Sequence, residues 1–307
     1  MLTSFFGKSN PINYLILAVL VFAGYFVSIF KLEKIELDWS SWLEYIGFAI
    51  ATVFLMLLLD FIIRKNHLTK NNTFGILLFS CFLLALPVIF LSHHILVATL
   101  FLLLALRRIL SIRSEKHIEK KILDASIWIT FASFFYFWSL FFFLLLYFAM
   151  LRRRDTKFKE LLIPIVGFAV MFILAICYYL LVSDSFAWLT EWRLATSFDF
   201  SAYNQISILL PITVIIALLI WSGIARFSSL ASLKKKDRPN VIIILFSAVV
   251  FLIIALASPE KTGAEAVFIF GPLVIIITNY IEIKKEFWFK EVLLWLVVLL
   301  PIIVFFL

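Results

Sequence analysis

Three ionisable residues in the loops of an otherwise apolar sequence could form a catalytic site. Glu36 and Asp38 stand two positions apart just after the first apolar run, and Arg193 lies in a later loop. A carboxylate can act as a general base or bind a metal, and an arginine can bind phosphate or pyrophosphate. Alternatively, Glu36 and Asp38 form only a solvated rim, and Arg193 pairs with an acidic residue of its own loop.

Asp60, at the end of the run VFLMLLLD, is the most deeply embedded carboxylate. An ionisable residue inside a membrane span is costly, and it is a functional candidate for that reason. Arg64 lies one helical turn further on and could pair with it, which would make the position structural.

Gly271 and Pro272 predict a helix break, because glycine loosens the backbone and proline removes a hydrogen-bond donor. Broken helices line the substrate paths of many transporters. Proline kinks are also ordinary in membrane helices, so this motif has a structural explanation too.

The histidines do not predict a metal site. His93 and His94 are adjacent and point in different directions, and His67 and His117 are expected on the opposite side of the membrane. The sequence also has no Walker A loop, dinucleotide-binding glycine pattern, HExxH motif or nucleophile elbow. No metal and no cofactor is therefore predicted, and the two cysteines, both inside apolar runs, predict no disulfide.

The elements that position these residues must be membrane-spanning helices. Of 307 residues, 64% are hydrophobic, and the mean hydropathy is +1.11, both far above soluble usage. The net charge of +8 lies in loops between apolar runs, which indicates contact with the lipid bilayer and not with nucleic acid. We expect one integral membrane domain over 1–307, with no soluble domain.

An all-α fold with about 10–11 membrane elements follows from the apolar runs, since a spanning helix needs roughly 20 residues. The candidate spans are 12–30, 42–63, 74–91, 95–106, 122–150, 161–182, 206–224, 241–257, 267–281 and 292–307.

The loops alternate between those rich and those poor in lysine and arginine. Because basic loops remain in the cytoplasm, the charge pattern predicts a cytoplasmic N-terminus and places Leu307 at the periplasmic face. The loops predicted to be cytoplasmic are 64–73, 107–121, 151–160 and 225–240, and those predicted to be outside are 31–41, 183–204 and 258–266.

The segment 122–150 has strongly basic flanks on both sides, so it must enter and leave the membrane on one side. As one helix its 29 residues would measure about 43 Å, too long for a hydrocarbon core of about 30 Å. We expect a hairpin of two short helices that turns near 135–139. The alternative is one tilted helix, which would place the 225–240 loop outside.

Three stretches resemble an uncharacterised family of inner-membrane proteins from flavobacteria and related Bacteroidota: SFFGKSNPINYL, LLLDFIIRKNHLTKNN and ASFFYFWSLFFFLLL. That resemblance implies a location in the cytoplasmic membrane as part of the cell envelope. The acidic pair after the first span also resembles glycosyltransferases of the type C fold. This second resemblance implies that Glu36 or Asp38 is catalytic and that Arg193 binds the phosphate of a polyprenyl-linked sugar.

Three functional hypotheses follow. The first is an envelope component without assigned chemistry, which packs with other membrane subunits or handles a lipidic substrate. The second is the type C glycosyltransferase. The third is a secondary transporter that uses Asp60 and the break at Gly271 and Pro272.

Overall fold

The regular structure of this chain is helical. The computed structural model describes residues 1–32, 39–114, 116–153, 155–192, 196–259 and 261–307. Over these ranges there are fourteen α-helices and no β-strand. They are α1 (Leu2–Phe6), α2 (Pro11–Leu32), α3 (Trp39–Lys65), α4 (Phe74–Ala85), α5 (Val88–Leu91), α6 (His93–Ser111), α7 (Ile118–Phe135), α8 (Phe142–Leu151), α9 (Phe158–Ser183), α10 (Trp188–Trp192), α11 (Ile206–Ser228), α12 (Arg238–Leu256), α13 (Val267–Ile283) and α14 (Phe287–Phe306).

Eight helices within the described ranges are long and apolar enough to cross a membrane: α2, α3, α6, α9 and α11 to α14. The outward faces of α2, α9 and α14 carry large exposed apolar side chains, which only a hydrocarbon surrounding would favour. The prediction of an all-α polytopic membrane bundle is confirmed.

Helix α13 forms the centre of the bundle. Every residue from Val267 to Ile281 is buried, and the helix contacts α4, α6, α11 and α12. It runs through Gly271 and Pro272 as one continuous helix, so these residues do not interrupt it as their sequence suggests. Pro272 removes one intrahelical hydrogen bond, while a Cβ at Gly271 would lie 3.0 Å from Leu103 Cδ2. The glycine thus permits close packing.

A real interruption occurs at Pro87. The preceding residue, Leu86, has φ −128° and ψ 76°, because proline disfavours the helical conformation of the residue before it. The short α5 follows, and Ser92 then separates it from α6. Helices α4 and α5 together cross the bundle once, and α6 crosses it in the opposite direction.

The second interruption separates α7 from α8. Tyr136 is extended, with φ −148° and ψ 102°, and a 3-10 turn over Phe137–Phe141 leads into α8. The break falls within 135–139, where the sequence predicts it.

Helices α7 and α9 run in the same direction. Lys159 Nζ lies 3.6 Å from a Glu119 carboxylate oxygen near the first turns of both helices. Near the last turns of α7, Trp192 Nε1 of the short α10, which follows α9 in the chain, donates to the Ser133 carbonyl at 2.6 Å. Helix α8, between them in the chain, must therefore return across the bundle. The predicted hairpin is confirmed, and the single long helix is excluded.

All four basic loops meet at one end of the bundle, which we call the basic end. Arg107, beside the 107–121 loop, lies 4.8 Å from the ring of Phe61 near the end of α3. Asn240 Nδ2 donates to the Asn66 carbonyl at 3.4 Å, and the ion pair of Lys159 described above joins the remaining loop. The charge pattern thus correctly predicts that these four loops lie on one side of the bundle. That this side faces the cytoplasm stays a prediction.

Cysteine labelling can check the hairpin in intact membranes. With exposed Cys177 replaced by serine, cysteines at Lys120 and Lys157 are expected to react with an impermeant maleimide from the same side. A cysteine at Asp184 is expected to react only from the other side. Opposite behaviour of positions 120 and 157 would contradict the hairpin.

The α7–α9 contact depends on Gly167. A Cβ at Gly167 would overlap Ser126 Oγ and lie 2.9 Å from Ser126 Cβ. We expect Gly167→Ala to lower the free energy of unfolding by about 1–3 kcal/mol through overpacking, measured by denaturation in detergent. Gly223→Ala is the control, since a Cβ there meets nothing within 4 Å. Ser126→Gly should restore the stability of Gly167→Ala, and failure to do so would disprove the steric explanation.

Candidate functional site

Asp60 and Arg64 form a structural network at the basic end. Arg64 Nε lies 2.7 Å from Asp60 Oδ2, and the carboxylate side chain is only 13% exposed. Tyr14 Oη donates to the same oxygen at 3.0 Å, and Arg64 also donates to Ser9 and to Tyr14. The network joins the start of α2 to the end of α3, with each charge matched by a neighbour.

Glu36, Asp38 and Arg193 lie outside the described residues. Their catalytic and phosphate-binding roles stay predictions. Within the described part of the chain, no three His, Cys, Asp or Glu side chains come together as a metal ligand set.

An apolar groove of about 700 Å³ lies between α2, α4 and α14. Exposed apolar side chains form its rims, among them Leu20 on α2 and Ile302 on α14, so the groove faces the bilayer. On its floor, Leu84 packs directly on Gly24, where a Cβ would overlap Leu84 Cδ2. Asp60, Gly271 and Pro272 do not line it.

The groove runs most of the way across the bundle. Its lining on α2 extends from Ile16 to Leu32, a length of about 24 Å at 1.5 Å per residue. Half of a hydrocarbon core of about 30 Å is only about 15 Å. A chain lying in this groove would therefore extend past the middle of the bilayer.

One end of the groove, opposite the basic end, is polar, and we call it the polar end. Lys31 is the only charged residue among the described lining residues. Gln205 and Ser207 add neutral polar side chains at the same end. Lys31 Nζ donates to the Phe305 carbonyl at 2.9 Å and lies 5.0 Å from the Phe305 ring centroid. A lysine at the end of α2 thus contacts the last turn of α14.

A buried carboxylate supports the wall of the polar end. Glu265 is 2% exposed and accepts hydrogen bonds from Tyr203 Oη and from the Gly263 amide, both at 2.8 Å. Gly263 has φ +91°, and a Cβ there would lie 2.9 Å from Ile208 Cγ2, which lines the groove. Burial first, and the Glu265 carboxylate second, raise the pKa of Tyr203, which remains a neutral donor.

Lys261 lies in the same loop and caps a helix. Its Nζ donates to the carbonyls of Ala255 at 3.2 Å and Leu256 at 2.5 Å, which are carbonyls of the last turn of α12. Burial lowers the pKa of Lys261, and Glu265 opposes that change. This polar cluster fixes the loop, and its hydrogen bonds are made within the protein.

Sequence reasoning missed these features for two reasons. Tyr203 and Glu265 are 62 residues apart, so no spacing connects them. Lys31 directly follows the first apolar run, and in the sequence nothing distinguishes it from the other charged residues of the 31–41 loop. The groove itself arises from space between helices and has no signature in residue order.

The ion pair of Asp60 and Arg64 can be tested by a double-mutant cycle. Asp60→Ala and Arg64→Ala are each expected to lower the free energy of unfolding, with a coupling of about 0.5–1 kcal/mol because Arg64 is partly exposed. Additive effects in detergent denaturation would show that the two side chains do not act as a pair.

Comparison with known proteins adds one finding. No curated protein and no solved structure matches the chain. A model for a family of unknown function, DUF6427, matches residues 5–307, so the chain belongs to that family.

Proposed function

We propose that this polytopic membrane protein handles a long-chain lipid, whose hydrocarbon chain lies in the groove between α2, α4 and α14. We place it in the cytoplasmic membrane as a component of the cell envelope. The observation that supports this function is the groove itself: about 700 Å³ in volume, apolar, and bordered by exposed apolar rims.

The bilayer around the protein supplies lipid as the occupant of the groove. A groove open to the bilayer and lined by apolar side chains offers nothing to water, and hydrocarbon chains are the solvent there. Its volume falls within the range of about 300–1,000 Å³ typical of small-molecule sites. Its length of about 24 Å favours a chain longer than one leaflet, such as a polyprenyl chain.

The lining gives less support to transport of a polar solute. No acidic side chain stands among the described lining residues, and the embedded carboxylate of Asp60 is already paired with Arg64. The groove therefore offers a surface for a chain and no polar pathway across the membrane.

Filling the groove should prevent lipid binding. Leu20→Trp and Ala23→Trp add bulk to positions that line it. We expect each to reduce the amount of polyprenol that the purified protein retains by about tenfold, since overpacking costs roughly 1–3 kcal/mol and each 1.4 kcal/mol is a factor of ten. Native mass spectrometry of the protein released from detergent measures the bound fraction.

Val19→Trp is the matched control, because Val19 is 59% exposed on the same helix and does not line the groove. It should retain polyprenol like the unmodified protein. Equal retention by Leu20→Trp and Val19→Trp, or equal loss, would refute binding in the groove.

A further inference from the structure

We infer that the polar end of the groove binds a phosphate headgroup, with the Lys31 ammonium as its direct contact. This inference rests on the proposed function, because it concerns the same groove. It adds the chemical class of the ligand: a polyprenyl phosphate, or another long-chain lipid that carries a phosphoryl group at the end of its chain.

The first step is the placement of polar groups in the groove. From Ile16 to Val27 the α2 lining is apolar, and Ser28, which follows, donates its hydroxyl to the Gly24 carbonyl. The polar side chains of Lys31, Gln205 and Ser207 belong to the end opposite the basic end. An amphiphile with an apolar tail and one polar headgroup has the same division. The groove therefore has an orientation, with the headgroup of its ligand near Lys31.

The second step is the unused hydrogen-bonding capacity at that end. An ammonium has three donors, and Lys31 gives one to the Phe305 carbonyl. Gln205 is exposed and Ser207 half-buried, and among the described residues their side chains have no hydrogen-bond partner. Two donors of the Lys31 ammonium are thus available to the acceptor oxygens of a headgroup, and Gln205 and Ser207 add an amide and a hydroxyl to the lining of the same groove.

The third step is charge. Lys31 is the only charged side chain in the described lining, and the nearby Glu265 carboxylate is 2% exposed and turned to Tyr203 and Gly263. No carboxylate stands among the described lining residues, and an ammonium favours an anionic group over a neutral one. Phosphate suits this end better than a hydroxyl headgroup, which lacks the charge.

The competing explanation is that Lys31 only extends its ammonium to the membrane surface and binds no phosphate. A matched pair of ligands distinguishes this explanation from phosphate binding. Polyprenyl phosphate and polyprenol of the same chain length are offered together to the purified full chain, and native mass spectrometry counts each bound form. We expect about a tenfold preference for the phosphate, the size of effect typical of one charge-assisted hydrogen bond.

Substitutions at Lys31 then identify the contact. Lys31→Met is expected to abolish the preference while polyprenol still binds, and Lys31→Arg is expected to keep it. Lys8→Met, which removes the same charge from an exposed position outside the groove, should leave the preference intact.

The failures are distinguishable. Equal binding of the two lipids by the unmodified protein, or equal loss of both in Lys31→Met, would overturn the phosphate inference and leave the proposed function standing if Leu20→Trp still blocks both lipids. Binding of both lipids by Leu20→Trp would overturn the proposed function itself.

Discussion

The backbone of a membrane protein has no water to bond with inside the bilayer, so a chain can stop being helical there only where protein shields it. Tyr136 meets this condition. It is 1% exposed, its amide donates to the Ala132 carbonyl at 2.9 Å, and its carbonyl accepts from the Ser139 amide at 3.0 Å. Its hydroxyl donates to the Ile254 carbonyl at 3.0 Å. Because α8 turns back here, the direction of every helix from α9 to α14 depends on this turn.

The hairpin could be predicted because it follows from charge and length, both of which are local properties of the sequence. The position of each helix in the bundle could not. In the most apolar part of α13, 89% of the residues are buried inside the protein, whereas in the most apolar part of α9 only 11% are. Both helices are almost wholly apolar. Lipid tails and a protein interior are equally apolar, so hydropathy does not show which helix is central.

Some polar contacts could likewise be predicted from the sequence, and others could not. Asp60 and Arg64 are four residues apart on one helix, and their pairing follows from helical geometry alone. Tyr203 and Glu265 lie on different segments, and only the packed structure brings them to 2.8 Å. The hydroxyl of Tyr203 compensates the cost of burying the carboxylate, which would be high without a partner.

The groove lies between two polar contacts of α14, one with α1 at the basic end and one with the last turn of α2 at the polar end. At the basic end, Glu291 on α14 accepts hydrogen bonds from the amides of Leu2 and Thr3 on α1, at 2.6 and 3.1 Å. At the polar end, Lys31 donates to the Phe305 carbonyl at 2.9 Å. Polar ties of this kind are stable where water or headgroups are near, whereas in the hydrocarbon core an unsatisfied polar group costs several kcal/mol. Between the two ties only apolar contact is possible, and lipid competes for it on equal terms. The groove therefore has polar contacts at both ends and an apolar middle, the form that the proposed binding of a lipid chain requires.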